Sequence, residues 1–264
     1  MGASWFGASW FGASWGGGGG GSGGVPTYAM RADQPLADIP VPLNMAAKFR
    51  ESEFDPDLLA MTILPEFFAA NVNGNTWEQA IVLPAPFTIT QAMIDELCLR
   101  AVTERPEALG EIIQQHENFQ LMWMQLINIT PSSHRATFLI MKLAARVGEV
   151  AMILLKRRNP TRPRPSQINP MLFPPVPVPG HSSYPAGHAL IGQLTSECLA
   201  TLLPAYRDAL NKLAQRVGIN RVNAGLHFHQ DIDVGLAAGT HLLPFIQACP
   251  TYHRIFLDAQ QEWL

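Results

Sequence analysis

The periodicity of this chain predicts an all-α fold, a single-domain helical bundle. Three observations carry that expectation. Beyond residue 90, apolar residues recur at helical intervals through most of the chain. No run of alternating polar and apolar residues suggests strands. The 264 residues, 47% of them hydrophobic, suffice for one well-buried core.

The N-terminal residues stand apart. GASWF occurs twice in full and once without its Phe between Gly2 and Trp15, and a glycine run broken by Ser22 continues to Gly24. With neither a basic start nor a continuous apolar stretch, residues 1–24 are expected to be a low-complexity, disordered tail or tag, not a secretory signal. The folded domain is expected over 25–264, its proline-rich opening, 25–56, wrapping over the rest. Met93, Ile94, Leu97 and Val102 predict a helix after Thr90, and a second should run from about Pro106 toward Ile127. Ser132 or Ser133 is placed to cap a long helix with Phe138, Met141, Ala145, Val150 and Leu154 inward. That helix must end near Arg158, because Pro160, Pro163 and Pro165 cannot continue it. An extended loop is expected to Gly180, then helices over 188–203, 204–217, 227–248 and 251–263.

Composition excludes some functions. A net charge of -3 argues against a general nucleic-acid binder. Three cysteines, Cys98, Cys198 and Cys249, without metal-ligand spacing predict buried reduced thiols. No stretch reaches the roughly eighteen uninterrupted apolar residues needed to cross a bilayer. The best candidate, TFLIMKLAARVGEVAMILLKRR, is broken by Lys142, Arg146 and Glu149.

Three segments carry the chemistry: Lys156 to Pro165, Ser183 to His188, and Asn220 to Asp231. The first holds five basic residues. In isolation it reads as a solvated charge cluster, yet the prolines of RPRP fix where Arg162 and Arg164 point, and arginine forks match tetrahedral oxyanions. Gly187-His188 should open a helix, whose unpaired N–H groups favour an anion, with His188 beside it to move protons. His227 and Asp231, four apart on a helix, would share a face, so the carboxylate could fix the ring tautomer. His227, His229 and Asp231 also form an HxHxD cluster that could bind zinc, which would leave the arginines without a role.

In order and spacing the three segments resemble the superfamily joining type 2 phosphatidic acid phosphatases, bacterial acid phosphatases and vanadium-dependent haloperoxidases. The family pattern is Lys, six residues, Arg-Pro; then Pro-Ser-Gly-His; then Ser-Arg, five residues, His, three residues, Asp. Here Arg164-Pro165 is followed after nineteen residues by Pro185-Ala186-Gly187-His188, and after thirty-one more by Asn220-Arg221, His227 and Asp231. Two departures stand out. Arg157 occupies the lysine position, with Lys156 one residue too early, and Ala186 replaces serine.

The resemblance implies an oxyanion site at the core of the bundle, lined by Lys156 or Arg157, Arg164, Ala186, Gly187 and Arg221. It implies catalytic roles for His188, His227 and Asp231, and for His181 in the handling of halide or peroxide. RPRPSQ, the proline-rich stretch and His181 resemble the soluble, bromide-oxidising haloperoxidases, implying halide oxidation by peroxide at a vanadate bound to His227. The alternative is a soluble acid phosphatase, without a cofactor, hydrolysing phosphomonoesters through phosphorylated His227. Either reading implies small-molecule substrates (peroxide and halide, or a phosphate ester), no nucleic acid, no transmembrane segment and a soluble, by default cytoplasmic, protein. It leaves room for a homodimer.

Overall fold

The computed structural model describes residues 53–158 and 162–264. The expectations for residues 1–24, and for nearly all of 25–56, lie outside the described residues. Three short helices come first: α1 (Pro56–Met61), α2 (Leu64–Ala69) and α3 (Trp77–Ala80). Then follow α4 (Gln91–Thr103), α5 (Arg105–Asn118), α6 (Gln120–Leu126), α7 (Arg135–Arg158) and the single turn α8 (Pro165–Ile168). The chain closes with α9 (Gly187–Leu202), α10 (Arg207–Asn223), α11 (His229–Gln247) and α12 (Pro250–Gln261). Among the described residues there is no strand, only an isolated bridge between Val72 and Asn75, so the all-α expectation holds.

The core is organised around α9, which is buried without interruption from Gly187 to Ala200. Buried on every side, α9 packs against α7, α10 and α11 at once, and its polar residues Gln193, Ser196 and Glu197 find hydrogen-bond partners inside. The approach of α11 is close enough to require Gly235, where a Cβ would lie 2.6 Å from the Ala186 carbonyl oxygen. Trp123 of α6 is fully buried and donates its indole N–H to Ser196 Oγ on α9 at 2.8 Å. Each such large side chain withdrawn from water contributes roughly 1.5–3 kcal/mol.

Local corrections to the expected elements follow from packing. The helix expected from Pro106 to Ile127 is broken at Phe119, which leaves α5 and α6 as two pieces with that ring buried between them. The N-terminus of α7 is capped from far along the chain, not by Ser132 or Ser133. Glu262 accepts from the amides of Ala136 (2.7 Å) and Thr137 (2.9 Å), while Ser133 Oγ bonds the Thr130 amide. The inner face of α7 begins with Phe138, Met141 and Ala145 as expected. Beyond Gly148 it continues through Ala151, Met152, Leu155 and Lys156, leaving Val150 and Leu154 half-buried. Helix α10 runs past Val217 to Asn223, and α11 starts at His229, two residues after His227. Cys198 and Cys249 are buried and Cys98 half-buried, all three unpaired.

Candidate active site

The phase of α7 decides between the two candidate basic residues. Lys156 follows Met152 by four positions and shares its buried face, whereas Arg157 is exposed. Arg157 therefore drops out of the expected oxyanion set. The Lys156 ammonium meets the carbonyls of Ser182 (2.8 Å), Ser183 (3.0 Å) and Pro185 (2.5 Å). Burial and neighbouring Arg164 push its pKa well down, while Asp231 opposes this. Three carbonyl acceptors match the three N–H donors that only the charged form has, so the ammonium is the form this pocket fits. With its carbonyls drawn toward Lys156, the loop before α9 is held in place from the α7 side.

Arg164 is fully buried. Its Nη1 lies 3.0 Å from both the Leu226 carbonyl and His227 Nε2, and its Nε donates to the His181 carbonyl at 3.2 Å. Nη2 is 3.2 Å from His181 Nδ1, which also stands 3.3 Å from the Ser182 carbonyl. A guanidinium only donates, so the nearer, charge-assisted contact makes this nitrogen an acceptor. Burial, then the charges of Lys156 and Arg164, hold His181 down to about 3, so its ring is neutral at ordinary pH.

The same rule settles His227. Arg164 faces Nε2, so the ring proton belongs on Nδ1. His227 is not on α11 with Asp231, as the four-residue spacing suggested, but in the turn before the helix. Asp231, in the first turn, reaches back. Its Oδ2 accepts from the Phe228 amide (2.9 Å) and from Ser183 Oγ (2.5 Å), and stands 3.4 Å from His227 Nδ1. Ser183 Oγ lies 3.3 Å from the same Nδ1. Arg162 Nε comes within 3.0 Å of Asp231 Oδ1, without the alignment of a hydrogen bond, while its Nη1 donates to the Phe87 carbonyl at 2.8 Å. Burial raises the Asp231 pKa; Ser183, the Phe228 amide and Arg162 oppose it.

His188 sits in the first turn of α9, buried against Phe119 with ring centroids 4.9 Å apart and hydrogen-bonded to the Gln115 backbone. Burial, Arg221 and His227 push its pKa well down. Arg221, in the last turn of α10, is 1% exposed, and its Nε and Nη1 have no hydrogen-bond partner. Burial and Arg164 lower it to about 9. The Ala186 amide is spent on the Asp231 carbonyl at 2.8 Å, so it is not an anion donor as expected. Gly187 meets Met152 of α7, 3.1 Å from where a Cβ would lie, so the missing side chain serves helix packing. His229 turns away to Glu96 at 2.9 Å, so the HxHxD cluster does not converge.

Lys156, Arg162 and Arg164 thus gather about one buried carboxylate, Asp231, while Arg221 adds a fourth buried cation beside Arg164. Such an imbalance is expensive in a dry interior unless an anion completes it. Ser183 and the pairing of Arg162 with Asp231 were not singled out from the sequence. Ser183 did stand inside the second motif, but Gln115 and Phe119, which hold His188, carry no sequence signal.

No protein-family model matches the chain. Over 89 residues it is 35% identical to a lipid A 1-phosphatase of Rhizobium johnstonii, covering 32% of this chain and 36% of that one. Over 89 residues it is 34% identical to a lipid A 1-phosphatase of Rhizobium etli, covering 32% and 38%. The chain thus spans little more than a third of the curated relatives it matches. Both relatives are named as phosphatases, in keeping with the phosphatase branch of the resemblance drawn from the three motifs. A crystal structure described as the first transmembrane PAP2 type phosphatidylglycerolphosphate phosphatase, from Bacillus subtilis, matches with a TM-score of 0.43 and 18% identity. The match covers 73% of this chain and 94% of that one.

These comparisons correct the expected reaction, substrates and location. The relatives are named as phosphatases, which overturns the haloperoxidase reading in favour of its alternative. They are also named for a lipid, which goes against the expected small-molecule substrates and the expected soluble cytoplasmic protein without a transmembrane segment. Among the described residues no single helix is long and apolar enough to cross a membrane. The pair α11 and α12, bent by 92°, meets the length and composition together.

Proposed function

We propose that this PAP2-type chain is a phosphatase that hydrolyses a phosphomonoester borne on a lipid, through a phosphohistidine on His227. The observation that carries this reading is Arg221, buried with two guanidinium nitrogens unpartnered beside Arg164 and two histidines. A tetrahedral phosphate supplies the missing acceptors. On its arrival Arg164 exchanges the His227 ring nitrogen for a phosphate oxygen, which frees the Nε2 lone pair to attack phosphorus. The N–P bond forms as the P–O bond to the lipid alcohol breaks, and Arg164 and Arg221 hold the charge developing on the phosphoryl oxygens. The phosphate dianion favours the imidazolium of His188, opposing the downward pull of burial and Arg221, so His188 can protonate the departing alkoxide. Water then releases phosphate from His227, with His188 taking its proton.

The lipid part of the reading rests on the named relatives and on the surface near the site. From Pro165 to Gly180 no residue is charged, and Met171, Phe173 and Val178 are exposed, as is Phe87, whose carbonyl binds Arg162. A short-chain phosphatidic acid in mixed micelles and p-nitrophenyl phosphate, assayed side by side, test the proposal. Phosphate release that orthovanadate inhibits, that is faster on the lipid, and that vanishes in His227→Gln is expected. Full activity in His227→Gln would end the phosphohistidine mechanism, and equal rates on both substrates would end the lipid preference.

A further inference from the structure

We infer that Ser183 is a positioning residue that couples Asp231 to His227, so that the carboxylate acts on the imidazole through a hydroxyl. This rests on the phosphatase reading above for its kinetic consequence, though not for its geometry. The direct His227 Nδ1 to Asp231 Oδ2 separation, 3.4 Å, is long for a side-chain hydrogen bond. Ser183 Oγ lies 2.5 Å from that oxygen and 3.3 Å from Nδ1, closer to each than they are to one another. The hydroxyl has one proton and two candidate acceptors, Asp231 Oδ2 and the Leu226 carbonyl at 3.5 Å. The shorter contact to the charged acceptor takes it. That leaves the Ser183 oxygen lone pairs to accept Nδ1–H, the proton that Arg164 at Nε2 already assigns to that side of the ring.

The backbone of Ser183 fixes its hydroxyl with unusual economy. Its amide donates to the Arg162 carbonyl at 3.0 Å, and its own carbonyl accepts from Lys156 at 3.0 Å. One residue therefore meets the basic segment at two points and the His227–Asp231 pair at a third. When His227 takes the phosphoryl group the ring becomes cationic and Nδ1–H a stronger donor. The proton stays on nitrogen, and Ser183 relays the stabilising charge of Asp231 to it without leaving or accepting a proton itself.

The test has two arms on purified protein. In the resting enzyme, histidine labelled with 15N reports the His227 Nδ1–H by proton NMR, whatever the activity. In Ser183→Ala that resonance is expected to move upfield and exchange faster with water. An unchanged resonance would mean that Asp231 holds the ring directly, and would overturn the inference. In the kinetic arm, Ser183→Ala is expected to lower kcat roughly ten- to a hundredfold with KM little changed. Adding Asp231→Asn to it should then cost far less than Asp231→Asn alone costs the wild type. Fully multiplicative losses would overturn the coupling. Should Ser183→Ala fold poorly, Ser183→Thr, which keeps the hydroxyl, is expected to retain the wild-type resonance, and its loss there would refute the assignment. If His227→Gln proves fully active while the resonance still moves, the phosphatase mechanism fails and the coupling stands.

Discussion

Replacing Arg221 with methionine should make the empty protein more stable while destroying its affinity for phosphate. The guanidinium falls from 12.5 to about 9 on burial. At about 1.4 kcal/mol per pH unit, that fall corresponds to on the order of 4–5 kcal/mol of unfavourable folding free energy. The folded-state value lies below the unfolded one, so the penalty is in full force below about pH 9 and fades as pH climbs toward 12.5. Methionine of similar length removes the charge and keeps most of the packing. Relaxation and water entry shrink the gain, so about 1–4 kcal/mol is the expected increase, the range found when buried charges give way to apolar groups. The assay is urea denaturation at pH 7.5 with and without orthovanadate. Wild type should gain with the oxyanion by mass action, about 2.7 kcal/mol at a hundredfold excess over Kd, whereas Arg221→Met should start higher and gain little. A variant less stable than wild type, or one that oxyanion stabilises equally, would refute the claim that Arg221 is held in wait for an anion.

Lys156 predicts the opposite sign. Lys156→Met strands three carbonyls and should cost on the order of 2–4 kcal/mol along with activity, while exposed Arg157→Ala should stay within about 0.5 kcal/mol; equal effects in urea melts would contradict the assignment. Acidification should destabilise the protein early. His181 is held to about 3, and His188 and His227 well below their usual value, so the unfolded chain binds more protons below about pH 6.5. Stability should fall by up to about 1.4 kcal/mol per pH unit for each ring, and an unchanged urea midpoint between pH 8 and 5.5 would dismiss this account. Gly235→Ala forces a Cβ against the Ala186 carbonyl oxygen and should cost about 1–3 kcal/mol and weaken phosphate binding by shifting the start of α9. Wild-type affinity and melting in that variant would show that the α9–α11 approach is slack.

The fold class was legible because helical periodicity is a local property of the chain, whereas the meeting of the three motifs was implied by their resemblance, in order and spacing, to a known superfamily. Lys156 was not separable from Arg157, because the expected inner face of α7 ran through Val150 and Leu154, whereas packing beyond Gly148 turns Met152 and Lys156 inward. The position of His227 was misread because a four-residue gap suits both a helix face and a first-turn carboxylate reaching back beyond the helix. The break at Phe119 was hidden, since the apolar pattern runs on through it and only tertiary burial of the ring, against His188, decides the kink. Glu262 as the cap of α7, and Ser183 as partner of Asp231, depend on contacts between segments far apart in sequence, about which local pattern says nothing.

Lys156 ends on carbonyls of the loop before α9, Arg164 ends on the carbonyl beside His227, and the Ala186 amide ends on Asp231. No segment of the site is anchored only within itself. The centre should therefore have no partly assembled form. Its buried amides, followed by native-state hydrogen exchange, should open only with the whole bundle, whereas the termini of the outer helices fray locally. Chemistry that depends on a few tenths of an ångström is thereby protected by the global stability of the protein, and a fragment carrying any two of the three segments should bind no oxyanion at all.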